Sequence, residues 1–359
     1  MKKILIAVFV CLFFQVRIAS ALTFHITYDT SVTSLTNAAE IENAFATAAA
    51  AFSDLFTNVA TVNLSVYFTN QFGLGQSHFK LAGGPGGGLS YAQITNALWT
   101  HRSTAADTSA AGAFPATDPT GSQSWYVPYP EARILGFRTN NDATEDGEVS
   151  FCTNVSYTFD PNNRSVVGKF DFIGVAQHEI SEILGRASGR LDLGLYVPYD
   201  LFRFTNSGVR SLTIASSTNA YFSIDNGVTA LKLFYTNYLA GDIQDWKTTN
   251  TPDAFDAFVT SGHINPLGTV DITALDVLGY NGHSLVRPNL YVTKTNNTVQ
   301  LRFVNSPGVT FTVLATTNLA TKESTWSVLG TASENPPGQF IFTDPTATDA
   351  WRFYSVTAP

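Results

Sequence analysis

The chain has 359 residues and a formal net charge of −8, with 44% hydrophobic, 13% aromatic and 13% charged residues. That length exceeds one ordinary core and points to a large domain with a smaller one attached. The apolar content excludes a disordered chain, and an acidic chain without basic runs is a poor match for nucleic acid or an anionic membrane surface.

The N-terminus reads as a secretory signal. Lys2 and Lys3 precede an apolar run over residues 4–14, and Ala19-Ser20-Ala21 supplies a small-x-small cleavage site. The run is shorter than the about 20 residues of a membrane-spanning helix; an uncleaved anchor is the alternative. Cleavage after Ala21 would remove Lys2, Lys3 and Arg17 and no acid, taking the net charge from −8 to −11. It would also remove Cys11, leaving Cys152 without a partner for an internal disulfide. Beside Val149, Ser150 and Phe151, Cys152 reads as a buried thiol. These features predict a secreted, extracellular or periplasmic protein with signal peptide 1–21. No stable membrane span is expected after cleavage, and with the first expected strand starting directly after the cleavage site no N-terminal propeptide is expected.

Residues 22–29 alternate, with Leu22, Phe24, Ile26 and Tyr28 on one face, as in a half-buried strand. Residues 37–56 are Ala-rich with Ile41, Phe45, Ala48 and Phe52 at helical spacing. Val62, Leu64, Val66 and Phe68 then alternate again. Strand, helix and strand predict a right-handed crossover in a mostly parallel sheet. The run Gly83-Gly84-Pro85-Gly86-Gly87-Gly88 lacks the Lys-Ser/Thr ending of a phosphate loop. Ser90 is placed to cap a short helix through Trp99. Residues 103–125 read as a polar excursion, 148–151 and 156–159 as short strands, and 170–186 as a central helix. Aromatic, turn-rich segments follow to about residue 250, and a last helix over 271–278 ends at Gly279. From about Asn289, short strands are expected at 300–303, 311–315, 326–330, 339–342 and 352–356, the spacing of a small β-sandwich. The expected fold class is α+β, with a domain over 22–284, a linker near 282–288 and an all-β module over 288–359.

The chemistry concentrates in His178-Glu179-Ile180-Ser181-Glu182. Residues four apart share a helix face, so His178 and Glu182 can grip one metal ion through an imidazole nitrogen and a carboxylate oxygen. Glu179 lies about 100° round the helix. There it can reach a metal-bound water as general base without ligating the metal. Gly185 allows the chain to turn sharply out of the helix. The alternative is a surface helix with a capped histidine and two solvated acids.

His178-Glu179-x-x-Glu182-x-x-Gly185 resembles the HExxHxxG zincin motif of metzincins, with Glu for the second His. Surrounding phrases resemble a family of secreted bacterial zinc metalloproteases over about residues 22–282. They are residues 172–182, Asp200-Leu201-Phe202-Arg203-Phe204, Tyr221-Phe222-Ser223-Ile224-Asp225, Gly241-Asp242-Ile243-Gln244-Asp245-Trp246 and 271–280. The resemblance implies a zincin/metzincin-like catalytic domain, built as a mixed twisted sheet with an active-site helix. It implies bound Zn2+, endopeptidase action on protein or peptide substrates, and a strand like 148–151 that edges the cleft and pairs with substrate. Two departures follow from the residues. The position of the third metzincin His is Ser188, and Met1 is the only methionine, so there is no Met-turn. Asp200, in a turn after Pro198, is therefore expected as third ligand, turn capping being its other role. Asp242, Asp245 and His263 are further candidates. Gly241-Asp242 and Asp245-Trp246 could instead hold Ca2+ or brace a loop. His25, His78, His101 and His283 have no ligand spacing. The C-terminal module resembles small sandwiches appended to secreted bacterial enzymes, with Trp326 and Phe353-Tyr354 as matching core aromatics. A stabilising appendage is expected there, surface or polymer attachment being the sharper alternative. Besides an active metallopeptidase, two readings stay open: a catalytically lapsed zincin serving as an extracellular binding or adhesion protein, and an adhesin whose HExxE is accidental.

Overall fold

The computed structural model describes residues 22–83, 87–139, 142–189, 195–213, 219–282, 290–295, 298–304, 311–319, 321, 325–335, 339–345, 347–349 and 351–357. The signal segment 1–21, most of the expected linker and His283 lie outside them. Strand β1 (Leu22–Tyr28), a single turn α1 (Thr30–Thr33) and α2 (Ala38–Leu55) lead into β2 (Ala60–Thr69), β3 (Gly75–Phe79) and the short β4 (Leu81–Ala82). Next come α3 (Tyr91–Thr100), α4 (Ala105–Gly112), β5 (Val127–Pro128), α5 (Tyr129–Ile134), β6 (Gly147–Cys152), β7 (Tyr157–Thr158) and β8 (Phe170–Asp171). The central helix α6 (Phe172–Leu184) is followed by a 3-10 turn (Pro198–Phe202), β9 (Arg203–Asn206), β10 (Val209–Arg210), β11 (Tyr221–Phe222), β12 (Lys232–Leu233) and α7 (Thr269–Asp276). The chain is thus α+β with several sheets.

The main sheet has the order β1-β2-β6-β3. β1, β2 and β6 are parallel and β3 runs antiparallel at the edge. The expected alternation holds: Leu22 is buried while Thr23, His25 and Thr27 are exposed. α2 buries Ile41, Phe45, Ala48 and Phe52 and packs on β1 and α6. Ser90 caps α3 in a reciprocal capping box with Gln93. The expected polar excursion instead contains α4. Thr104 and Asp107 cap each other there, and Ala110 and Ala111 supply a small buried face too short to show a helical period.

The strand expected to edge the cleft, Glu148–Phe151, lies inside the sheet, paired with β2 on one side and β3 on the other. Its own residues account for this. Val149 and Phe151 are fully buried. A Cβ on Gly147 would lie 2.6 Å from the His78 carbonyl oxygen, so glycine there is what lets β3 approach. The edge strand on that side of the sheet is Gly75–Phe79, and it packs against α6. Cys152 is buried, as expected, and free.

The C-terminal strands are β13 (Tyr291–Thr295), β14 (Thr298–Val304), β15 (Thr312–Thr316), β16 (Ser327–Thr331), β17 (Ser333–Glu334), β18 (Gln339–Asp344) and β19 (Phe353–Thr357). They form two antiparallel sheets, β13-β14-β18-β17 and β16-β15-β19. These share a core separate from that of residues 22–280, built on Leu301, Phe303, Phe311, Val313 and Phe340. Phe303 stacks on Phe340 with centroids 5.1 Å apart, and Phe311 meets Phe340 edge-on at 4.7 Å. The expected core aromatics are only partly there. Tyr354 packs on the core, but Trp326 and Phe353 are half-buried outside it. Alternation along β19 explains Phe353: Tyr354 and Val356 face inward, so their neighbour faces away. Among the described residues, no helix is long and apolar enough to cross a membrane.

Candidate metal centre

Every residue of α6 except His178 is buried, which removes the surface-helix alternative. The helix is held at its start by Asp171, whose carboxylate takes a two-pronged hydrogen bond from Arg164 (2.9 and 2.7 Å) and one from the Asn265 backbone N–H (2.9 Å). Gly174 permits close packing there, since a Cβ would lie 2.6 Å from the Asn265 carbonyl oxygen. The nearby segment supplies the Ala254 carbonyl, 2.9 Å from His178 Nδ1. A carbonyl only accepts, so Nδ1 carries the donated proton and Nε2 is turned the other way, as in metal-ligating histidines.

Nε2 faces two carboxylates: Glu182 Oε1 at 3.6 Å and Asp245 Oδ1 at 3.3 Å. An imidazole nitrogen of His178 and one carboxylate oxygen each of Glu182 and Asp245 all lie within 4.8 Å of one another. One imidazole and two carboxylates are a donor set that suits a divalent cation such as Zn2+, and the group could hold a metal ion. Two carboxylates against one guanidinium, Arg186, leave a unit of negative charge. Either protonated His178 or a bound cation balances it.

Each ligand is braced from outside the helix. Glu182 Oε2 accepts from Ser77 Oγ on β3 at 2.6 Å, and Oε1 accepts from Gln244 Nε2 at 3.0 Å. Asp245 sits on the segment 241–246. There the Asp245 carbonyl accepts the Tyr235 N–H (2.7 Å), Arg203 donates to the Ile243 carbonyl, and the Trp246 indole N–H donates to Asp271 Oδ1 at 2.7 Å. Glu179 points toward the edge strand: a Cβ on Gly75 would lie 2.4 Å from its Oε1. The carboxylate thus occupies the space that glycine leaves open on β3, one residue from His178.

Burial and charge set the protonation of the group. Burial pushes the Glu179 carboxyl well above the usual range, against the pull of His178 and with the neighbouring Glu182 charge adding to it. Burial would also raise Glu182, but His178, Arg186 and Ser77 together hold it down at about 2. Burial disfavours imidazolium at His178, yet the adjoining Asp245 and Glu182 carboxylates outweigh it and raise its pKa well above the ordinary value. Asp242, on the same segment as Asp245, is pushed up to about 6 by burial and by the charges of Glu182 and Asp245.

The structure therefore brings together His178 and Glu182 with Asp245 rather than Asp200, and Glu179 feels the charges of all three. Asp200 performs the turn-capping role. Its Oδ1 accepts from Ser188 Oγ (2.8 Å), and its Oδ2 accepts the backbone N–H of Gly189 and of Val197 (both 3.0 Å). His263 is exposed and outside the group. Arg186 and Ser77 were not singled out from sequence. For Arg186 a signal exists, a basic residue directly after the glycine that reverses the chain at the helix end. For Ser77 there is none, because its role depends on β3 crossing α6. No known protein family matches this chain, and a search of curated proteins finds no relative.

Proposed function

We propose that the protein is a secreted zinc-dependent endopeptidase with a zincin-like domain over residues 22–284 and an appended β-sandwich. The convergence of His178, Glu182 and Asp245, with Glu179 beside them under an edge strand, carries this reading. His178 Nε2, Glu182 Oε1 and Asp245 Oδ1 would hold the ion. When bound, zinc supplies Lewis acidity that polarises a scissile carbonyl and acidifies water. The Glu179 carboxylate takes the proton of the attacking water and delivers it to the leaving amine. Ala254 O keeps the His178 proton on Nδ1 and so keeps Nε2 available. The edge strand β3, Gly75–Phe79, replaces residues 148–151 as the segment whose main chain pairs with an extended peptide. That mode takes its affinity from the backbone and tolerates varied side chains.

The test is digestion of denatured casein and a peptide library, read by mass spectrometry with and without a chelator. Wild type is expected to cut, Glu179→Gln to keep zinc and lose at least about 10²-fold in rate, and His178→Ala to lose both. Equal cutting by wild type and Glu179→Gln would refute the mechanism. A second reading, a lapsed zincin serving as an extracellular binding protein, is favoured by one observation. Arg186 already ion-pairs with two of the carboxylates, through Asp245 Oδ1 at 2.6 Å and Glu182 Oε1 at 3.4 Å. Stoichiometric zinc with no cleavage across the library would select it.

A further inference from the structure

We infer that Arg186 is a positioning residue of the metal centre: it fastens Asp245, carried by a distant loop, to the helix that carries His178 and Glu182. The inference rests on the metal-binding part of the reading above and not on the reaction. Gly185 ends α6 with φ +128°, and the Gly185 and Arg186 backbone N–H groups bond back to the Glu182 and Ser181 carbonyls at 3.1 and 3.0 Å. That reversal sends the Arg186 side chain back along the last turn of the helix. All five guanidinium N–H groups then have acceptors in reach. Nε donates to Ser181 Oγ at 2.8 Å. Nη1 donates to Asp245 Oδ1 at 2.6 Å and faces the Gln244 carbonyl at 3.3 Å. Nη2 faces Glu182 Oε1 at 3.4 Å and the His178 carbonyl at 3.5 Å. The group is fully buried and lies over the Phe255 ring at 4.4 Å.

Two of these acceptors, Gln244 O and Asp245 Oδ1, belong to a loop that enters 59 residues further on; the other three belong to α6. Arg186 is therefore a clamp between the two segments that must supply ligands to one ion. A guanidinium bound on all sides has no cheaper place to go when a cation arrives. It would stay as the partner that orients the Asp245 carboxylate.

The test uses the purified full-length chain, its zinc affinity measured by competition with a chromophoric chelator, and the visible spectrum of the Co2+ form. Arg186→Met keeps length and apolar contact but removes the donors. It should weaken zinc ten- to a hundredfold, the usual effect of losing such a partner. Its cobalt spectrum should match that of Asp245→Ala, and the double variant should bind no more weakly than Asp245→Ala alone. Arg186→Lys should fall between. Zinc binding by Arg186→Met as tight as wild type or tighter, or losses that add in the double variant, would overturn the inference. Where Arg186→Met does not fold, Ser181→Ala serves. It removes the acceptor of Nε, together with the Ser181 hydroxyl's own bond to the His178 carbonyl at 2.6 Å, and should lower affinity severalfold with the same spectral change; unchanged affinity and spectrum overturn the inference. The two readings separate cleanly. If wild type and His178→Ala bind zinc alike, the metal centre itself is wrong and the clamp falls with it. If His178→Ala alone loses zinc, the centre stands and only the clamp is rejected.

Discussion

Gly75→Ala tests whether the edge strand and Glu179, the proposed general base, are coupled by contact. Gly75 needs no left-handed backbone, so the substitution acts through space alone. Its Cβ would stand 2.4 Å from Glu179 Oε1 and 2.8 Å from both Cδ and Cγ. Ordinary contact begins near 3.4 Å, so the carboxylate must retreat by about 1 Å. A catalytic group misplaced by about 1 Å can cost about 10²-fold, or ~2.7 kcal/mol of transition-state stabilisation. The overpacking itself costs about 1–3 kcal/mol of stability. The three atoms nearest to a Cβ at this position all belong to Glu179 and none to His178, Glu182 or Asp245, so zinc content should not change. The assay is kcat/KM on a peptide cut by wild type, with zinc measured on the same samples. Gly75→Ala should fall about a hundredfold at full zinc occupancy, and should cost nothing further in a Glu179→Gln background. A fully active Gly75→Ala enzyme, or one that loses its zinc, would refute the coupling.

Asp245→Ala should reduce zinc affinity at least tenfold by direct titration. Asp200→Ala should leave zinc bound but take the acceptor from the Gly189 and Val197 N–H groups and one of the two partners from the Ser188 hydroxyl, destabilising the fold by about 1–3 kcal/mol in thermal melts. Gly185→Ala combines a left-handed φ of +128° with a Cβ 2.7 Å from Glu131 Oε2. It should lower stability by at least the ~1–3 kcal/mol of such backbone strain. Asp276, away from the centre, is raised to about 7 by burial, with the Asp107 charge adding to it. Its folded pKa lies above its unfolded one, so the unfolded chain releases this proton first as pH rises. Its contribution to stability is therefore full below about pH 4 and is lost between about pH 4 and 7. Asp276→Asn should melt progressively higher than wild type as pH is raised from 4 to 7; a pH-independent difference would reject that assignment.

The parts that read correctly from sequence are those whose signal is local and repeated. β1 and β2 show strict alternation, α2 a sustained apolar stripe, and Ser90 and Gln93 a capping pair three residues apart. α4 was hidden because its buried face is two alanines and its start is set partly by a contact with α7, the Thr104 hydroxyl donating to Asp276 at 2.6 Å. The order of strands is not a local property either. Residues 147–152 become internal because Gly147 admits β3, which comes from earlier in the chain and turns back antiparallel. His178, Glu179 and Glu182 were readable because helical spacing alone fixes their mutual placement. Asp245 was one candidate among several, because nothing near it in sequence says that its loop reaches α6. Trp326 and Phe353 misled for the opposite reason: aromatic character marks a strand but not which face of it is buried.

With Asp245 as the proposed third ligand, the difference from the metzincin pattern has a mechanical consequence. In the metzincin pattern the third donor follows the helix exit directly, so the turn at the glycine is enough to place it. Here position 188 is a serine whose hydroxyl is given to Asp200, and the chain after α6 is committed to a turn built around that aspartate. The third carboxylate would then arrive from a loop 59 residues further along the chain than Arg186. Its place must be set by side chains: Trp246 anchored on Asp271, Arg203 on the Ile243 carbonyl, and Arg186 joining Gln244 and Asp245 to α6. Three buried groups doing by hydrogen bonding what a short turn does by chain connectivity make the centre dependent on remote residues. Substitutions at Trp246 or Asp271, neither of which belongs to the His178, Glu182 and Asp245 group, should therefore act on zinc affinity through Asp245, in the same direction as loss of Arg186.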